Sequence, residues 1–207
     1  MASAARLALV LALIVLGLVP VASAGTTQVG CGARQLSQPF LPWLDPARYF
    51  LLPGGDLESS AGWAVAGGAQ VVPGNEPYHV NGASDAHALR LPSGTWARTP
   101  ATCVDSDELT LRFFVRNGGS VLSTLAVEAR VRTTVLGMTV QTTVPIGVVL
   151  GTARSWQPSL PAVFGLSLNQ LLGGTTTVDF RFVPVGPGGD WYVDDVYVDP
   201  FKDRAPS

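Results

Sequence analysis

Trp191-Tyr192-Val193-Asp194-Asp195-Val196-Tyr197-Val198 sets the pattern for this 207-residue chain. Its aromatic and β-branched residues suit a pleated, half-buried strand. Alternation puts Tyr192, Asp194, Val196 and Val198 on one face, and Trp191, Val193, Asp195 and Tyr197 on the other. With the first set toward the core, Asp194 carries a carboxylate in among apolar side chains. A buried charge is costly unless it is paired or bound to metal, so Asp194 needs a partner.

The same grammar extends backward. Runs rich in Val, Thr, Phe and Tyr cover Trp63 to Val72, Ala88 to Leu91, Glu108 to Arg116, Leu125 to Val135, Met138 to Leu150 and Thr175 to Val185. Turn clusters separate them: Pro73-Gly74-Asn75, Asn117-Gly118-Gly119, Gly186-Pro187-Gly188-Gly189, and Leu136-Gly137 for a long hairpin. Short strands with regular turn signals predict an all-β sandwich or barrel built mostly of antiparallel sheet. The one short helical pattern is Leu166 to Leu172, ended by Gly173-Gly174. Ahead of the strands, Pro39, Pro42 and Pro46 mark an irregular lead over residues 25–46, and residues 47–207 form the single domain.

The N-terminus has the parts of an export signal: Arg6, the apolar run Leu7 to Leu18, and Ala22-Ser23-Ala24 before the cut. Gly17 and Pro20 interrupt the run before the roughly 20 residues of a membrane span, so residues 1–24 read as a cleaved signal peptide and the protein as secreted. Export makes a disulfide between the two cysteines, Cys31 and Cys103, the simplest expectation. Removing the signal leaves 12 basic residues of the chain's 13 against 15 acidic ones. Such a balance, without a basic stripe in the sequence, argues against nucleic acid as a partner. Every basic residue but Lys202 is arginine, which with the abundant Ala and Gly suggests a GC-rich bacterial genome.

Two segments carry a family resemblance. Gly54-Gly55-Asp56-Leu57-Glu58 followed by Trp63, together with Trp191 to Val196, resemble the first and last strands of calcium-containing jelly-roll carbohydrate-binding modules and their galactose-binding-like relatives. Leu89 to Leu91 and Leu111 to Val115 agree in outline, and the chain also looks like a group of secreted actinobacterial proteins. The resemblance implies an antiparallel jelly-roll β-sandwich. It also implies a structural Ca2+ held by Glu58 and Asp194, with Asp56 as a third ligand. Leu57 stands where the family usually has Phe. Carboxylate and carbonyl oxygens suit Ca2+; the competing expectation is that Asp194 accepts hydrogen bonds from an arginine or from backbone N–H groups.

Enzyme motifs are scarce. The chain has no Gly-x-Ser-x-Gly elbow, and Gly55-Asp56 is followed by leucine where a Gly-Asp-Ser hydrolase would have its nucleophile. His79 and His87, the only histidines, read as surface residues, and Glu76, Asp85, Asp107 and Glu128 are carboxylates that one sequence cannot bring together. Among the large rings Trp43, Trp63, Trp96, Trp156 and Tyr78, the pair Trp96 and Tyr78 flank the loop from Asn81 to Asp85 and are expected to bind a ligand. The expected function is therefore a secreted, non-catalytic module for polysaccharide or cell-surface glycan. A structural or interaction protein of the cell envelope is the alternative, and a hydrolase is third.

Overall fold

The computed structural model describes residues 31–59, 62–105, 108–164 and 175–200. The expected signal peptide and the helical pattern at 166–172 lie outside the described residues. The strands are β1 (Phe50–Leu51), β2 (Ala64–Ala66), β3 (Gln70–Pro73), β4 (His87–Pro92), β5 (Trp96–Arg98), β6 (Thr102–Cys103) and β7 (Glu108–Asn117). Then come β8 (Thr124–Val135), β9 (Met138–Leu150), β10 (Gln157–Pro158), β11 (Ala162–Val163), β12 (Thr175–Val185) and β13 (Asp190–Pro200).

They form two antiparallel sheets packed as a β-sandwich. The first runs β10-β7-β13-β4-β3, with β1 on β13 and β11 on β7; the second runs β2-β5-β12-β8-β9, with β6 on β12. The long strands follow the apolar runs closely, and Leu136-Gly137 turns β8 into β9 with positive φ at both residues, the geometry that matches strand twist. The run from Trp63 to Val72, however, is two strands. Gly67 and Gly68 take φ values of +71° and +96°, which glycine adopts at no steric cost, and the chain crosses from the second sheet (β2) to the first (β3).

Between the sheets lies a core that includes Leu89, Leu111, Phe113, Val127, Phe180, Phe182 and Trp191. The faces of β13 differ from simple alternation. Trp191 and Val193 enter this core, and so do Val196 and Val198, whereas Tyr197 lies in a separate cluster. The cause is a register shift against β7 between Asp194 and Tyr197, with Asp195 at φ +48°. This bulge inserts a residue and reverses the phase of the strand. Asp194 therefore shares its outward face with Tyr192 rather than with Val196 and Val198. Gly55 packs onto the bulge: Val196 donates its N–H to the Gly55 carbonyl at 3.0 Å, and Leu52 donates to the Val196 carbonyl at 2.9 Å.

The described part of the lead, from residue 31, is irregular apart from a 3-10 turn at Leu41–Trp43 and a bridge between Ser37 and Tyr49. It covers the outer face of the first sheet, where Phe40 is fully buried and its ring lies 5.4 Å from Phe114 and 5.7 Å from Tyr197. A Cys31–Cys103 disulfide ties it to β6 with Cα atoms 5.5 Å apart. Beside it Arg34 pairs with the buried Glu108 at 2.9 Å.

Two outcomes are expected. Purified, unreduced protein should weigh about two mass units less than its reduced form, and reduction should cost roughly 3–5 kcal/mol for so long a loop; two free thiols by mass spectrometry would contradict the bridge. An alanine at Gly55 would place its Cβ 2.7 Å from the Val196 carbonyl oxygen, so Gly55→Ala should destabilise by about 1–3 kcal/mol in a denaturant titration.

Candidate functional site

Two groups of side chains stand out, one at the bulge and one on the outer face of the second sheet. At the bulge, Glu76, Asp194 and Asp195 are fully buried and Asp85 nearly so. Glu76 is held by its own loop: its Oε2 accepts the Tyr78 N–H and its Oε1 the Val80 N–H, while its backbone N–H donates to Asp194 Oδ2 at 3.2 Å. Asp194 Oδ1 accepts the Asp195 N–H at 2.9 Å. Backbone amides thus satisfy Asp194, one of the two expectations for it. The unsatisfied carboxylate stands one residue along. Both oxygens of Asp195 are buried with no donor, as are Asp85 Oδ2 and Asn75 Oδ1.

The electrostatics follow from that crowding. Burial, then the Asp195 charge, pushes the Asp194 carboxyl up to about 9. Burial, then the charges of Glu76 and Asp85, pushes Asp195 up to about 8, and a proton on Asp195 can be shared with Glu76. Burial also raises Asp85, against a hydrogen bond from Asn81 and with help from the Glu58, Asp56 and Glu76 charges. Buried like charges of this kind hold protons unless a cation replaces them.

The residues matched to the family pattern meet this cluster unequally. Asp56 acts on Asp85 and Asp195 through its charge. Glu58 is exposed at the rim, where it accepts the Ala86 and His87 N–H groups at 2.6 and 2.8 Å and faces His87 Nδ1 at 2.8 Å. Among the described residues no three of these carboxylates bring oxygens within 4.8 Å of one another; Cys31, Asp105 and Glu108 do. In that trio the sulfur is in the disulfide and Glu108 is bound by Arg34. The donors at the bulge are all oxygens, the ligand type a hard divalent cation takes, and Asp195 rather than Glu58 lies buried among them. Glu76, Asp85 and Asp195 are the members sequence reasoning left outside the set. Their signal was two adjacent aspartates inside a strand, where Asp is depleted.

On the second sheet, Ala97 faces the core, which turns Trp96 and Arg98 outward. Trp96 is half-buried, and its ring carries two guanidinium groups, Arg98 at 5.0 Å and Arg181 at 5.1 Å. Beside it a depression of about 210 Å3 is lined by Arg98, Glu128, Arg130, Gln141, Thr143, Asp179 and Arg181. Tyr78 is not part of this face. It packs edge-on to Trp43 at 4.7 Å and lies 5.8 Å from Phe114 of the first sheet, donating its O–H to the Trp156 carbonyl at 3.1 Å. Trp96 and Tyr78, expected to act together, thus stand on opposite sheets. Trp63 stacks on Phe182 at 6.2 Å and is a packing residue. A larger cavity of about 770 Å3 lies beside β9, where Ile146, Val149, Leu160 and Ala162 make an apolar wall.

No family model matches the chain, and no curated protein matches it. Several carbohydrate-binding modules resemble it among solved structures. One is a family 61 module in complex with β-1,4-galactotriose, 15% identical over 72% of this chain and 96% of that one, with a TM-score of 0.37. A second is a xylan-binding domain of family 22, 11% identical over 72% and 92%, with a TM-score of 0.43. A third is the family 11 module from Clostridium thermocellum with a mixed-linked β-1,3-1,4 tetrasaccharide, 14% identical over 72% and 93%, with a TM-score of 0.38. Likeness at this level carries nothing about ligand, so the function rests on the side chains just described.

The raised carboxyls fix a sign for pH dependence. A group whose folded pKa lies above its unfolded value of 3.8 contributes stability that is full below that value and lost as pH rises through the folded pKa. Metal-free protein should therefore lose stability steadily from about pH 4 to 9. Added calcium should raise the melting temperature little near pH 4 and most above pH 8, by up to about 2.7 kcal/mol of stability at one hundred times its dissociation constant. Melting curves with calcium or chelator across that range check it, and a calcium effect independent of pH would contradict it.

Proposed function

We propose that the protein is a secreted, non-catalytic polysaccharide-binding module whose ligand lies across the outer face of the second sheet. The observation that supports this is Trp96. Its half-buried ring lies on the outer face beside Arg98 and Arg181, whose guanidinium groups also line a depression that adds the carboxylate, amide and hydroxyl groups of Glu128, Gln141 and Thr143. A sugar ring has an apolar C–H face and a rim of hydroxyls, and this surface offers a counterpart to each. The rings around Tyr78, by contrast, are engaged with one another and with Phe114, pinning the lead to the first sheet.

In this reading the acidic cluster at the bulge is structural. Asp195, with Asp85, Asp194, Glu76 and Asp56 around it, would hold a Ca2+ that neutralises the charge and secures the loops from 52 to 58 and from 75 to 85 to the last strand. Glu58 would brace the rim through the Ala86 and His87 amides.

The test separates the faces. In affinity electrophoresis through gels containing polysaccharide, Trp96→Ala should weaken retention roughly tenfold or more, in line with about 1–3 kcal/mol for a stacked ring. Its melting temperature should fall only slightly. Tyr78→Ala should leave retention unchanged while lowering stability. Retention that depends on Tyr78 and ignores Trp96 would refute the assignment.

A further inference from the structure

Charge on the outer face of the second sheet is uneven. The six strands β2, β5, β6, β8, β9 and β12 carry Arg98, Arg130, Arg132 and Arg181 against Asp179 and Glu128 and no other ionisable side chain apart from Cys103, so the face bears two positive charges in a chain that is negative overall. Asp179 is almost completely buried, and one bidentate guanidinium would satisfy such a carboxylate. Three converge on it: Arg130 at 2.9 Å and Arg132 at 2.8 Å share its Oδ2, while Arg98 stands 3.7 Å from its Oδ1, which is buried without a hydrogen-bond donor. Arg181 meets Glu128 through Nη1 at 3.3 Å, while its Nε is buried without an acceptor. All four guanidinium groups remain a quarter to a third exposed, and Arg98, Arg130 and Arg181 line the depression beside Trp96. Neutral sugars do not call for this excess.

Resting on the polysaccharide-binding reading above, we infer that the ligand is an acidic polysaccharide, a chain whose sugars carry carboxylates, as uronic acids do. Trp96 takes the apolar face of one sugar. Arg181 and Arg98, neighbours across β12 and β5 and both close to the ring, take the carboxylate, for which the planar guanidinium fork is the matching donor. At about 210 Å3, the depression is smaller than the roughly 300–1,000 Å3 of a drug-sized pocket, so it seats one unit while the chain continues over the sheet. Gln141 and Thr143 supply hydroxyl partners from β9.

The experiment measures affinity of the mature, disulfide-bonded protein for polygalacturonate, for carboxymethyl-cellulose and neutral hydroxyethyl-cellulose, which share a backbone, and for poly-glutamate. Expected is binding to the two acidic polysaccharides at least tenfold tighter than to the neutral one, weakening with salt. Arg181→Gln should lose most of that preference with an unchanged melting temperature, and Trp96→Ala should weaken all sugar binding. Equal binding of the neutral and acidic celluloses, unaffected by Arg181→Gln, would overturn the acidic assignment while leaving polysaccharide binding intact. Poly-glutamate bound as tightly as polygalacturonate would overturn it as mere polyanion attraction. Binding to no polysaccharide would overturn both readings.

Discussion

The extra residue at Asp195 is the constraint around which this sandwich is arranged. A strand of pure alternation could not place Trp191, Val193, Val196 and Val198 in one core, because the last two have the opposite parity. The bulge resolves the conflict and has an electrostatic consequence. Two adjacent carboxylates enter the same buried region, against the loop that carries Glu76 and Asp85. Gly55 must be small because the loop before β2 closes directly over the bulge backbone. Packing of the core, placement of the acids and approach of the first loop are thus one local event.

The two sheets divide the work. The outer face of the first is covered by the lead, whose Phe40 and Tyr49 pack on Phe114 and Tyr197, with Arg112 lying 4.2 Å over the Phe40 ring and pairing with Asp45 at 2.5 Å. The disulfide and the Arg34–Glu108 pair anchor the start of that cover. Along the middle strands of the second sheet the outer face is polar. Its charged residues sit at alternate positions of β8 and β12, so they stand in rows across neighbouring strands, where side chains about 5 Å apart interact directly. A buried Asp179 at the centre of those rows draws Arg98, Arg130 and Arg132 together. Trp96 on β5 closes one end of the array.

Much of the architecture was legible because it follows from period and punctuation. The runs from Met138 to Leu150 and from Thr175 to Val185 are strands at those same bounds, and Leu136-Gly137 is the turn between β8 and β9. Two cysteines behind an expected export signal pointed to the bridge that the structure contains. Short strands such as β5, β10 and β11 were not legible, because two or three residues hold no periodicity and form only where a long strand offers an edge. The division of Trp63 to Val72 was hidden for a related reason. Glycines that permit a crossing do not say which sheet receives the next strand.

Residue types and their order alone determined an all-β chain and an aspartate in need of a partner, since hydrophobic period and local turn chemistry act over a few neighbouring residues. Only the tertiary structure decided that the buried carboxylate without a donor is Asp195, that Trp96 and Tyr78 face opposite ways, and that three arginines from two strands gather around one buried aspartate. These are contacts between residues up to about a hundred positions apart, set by strand register and one inserted residue. A single-residue shift sends every following side chain to the other face.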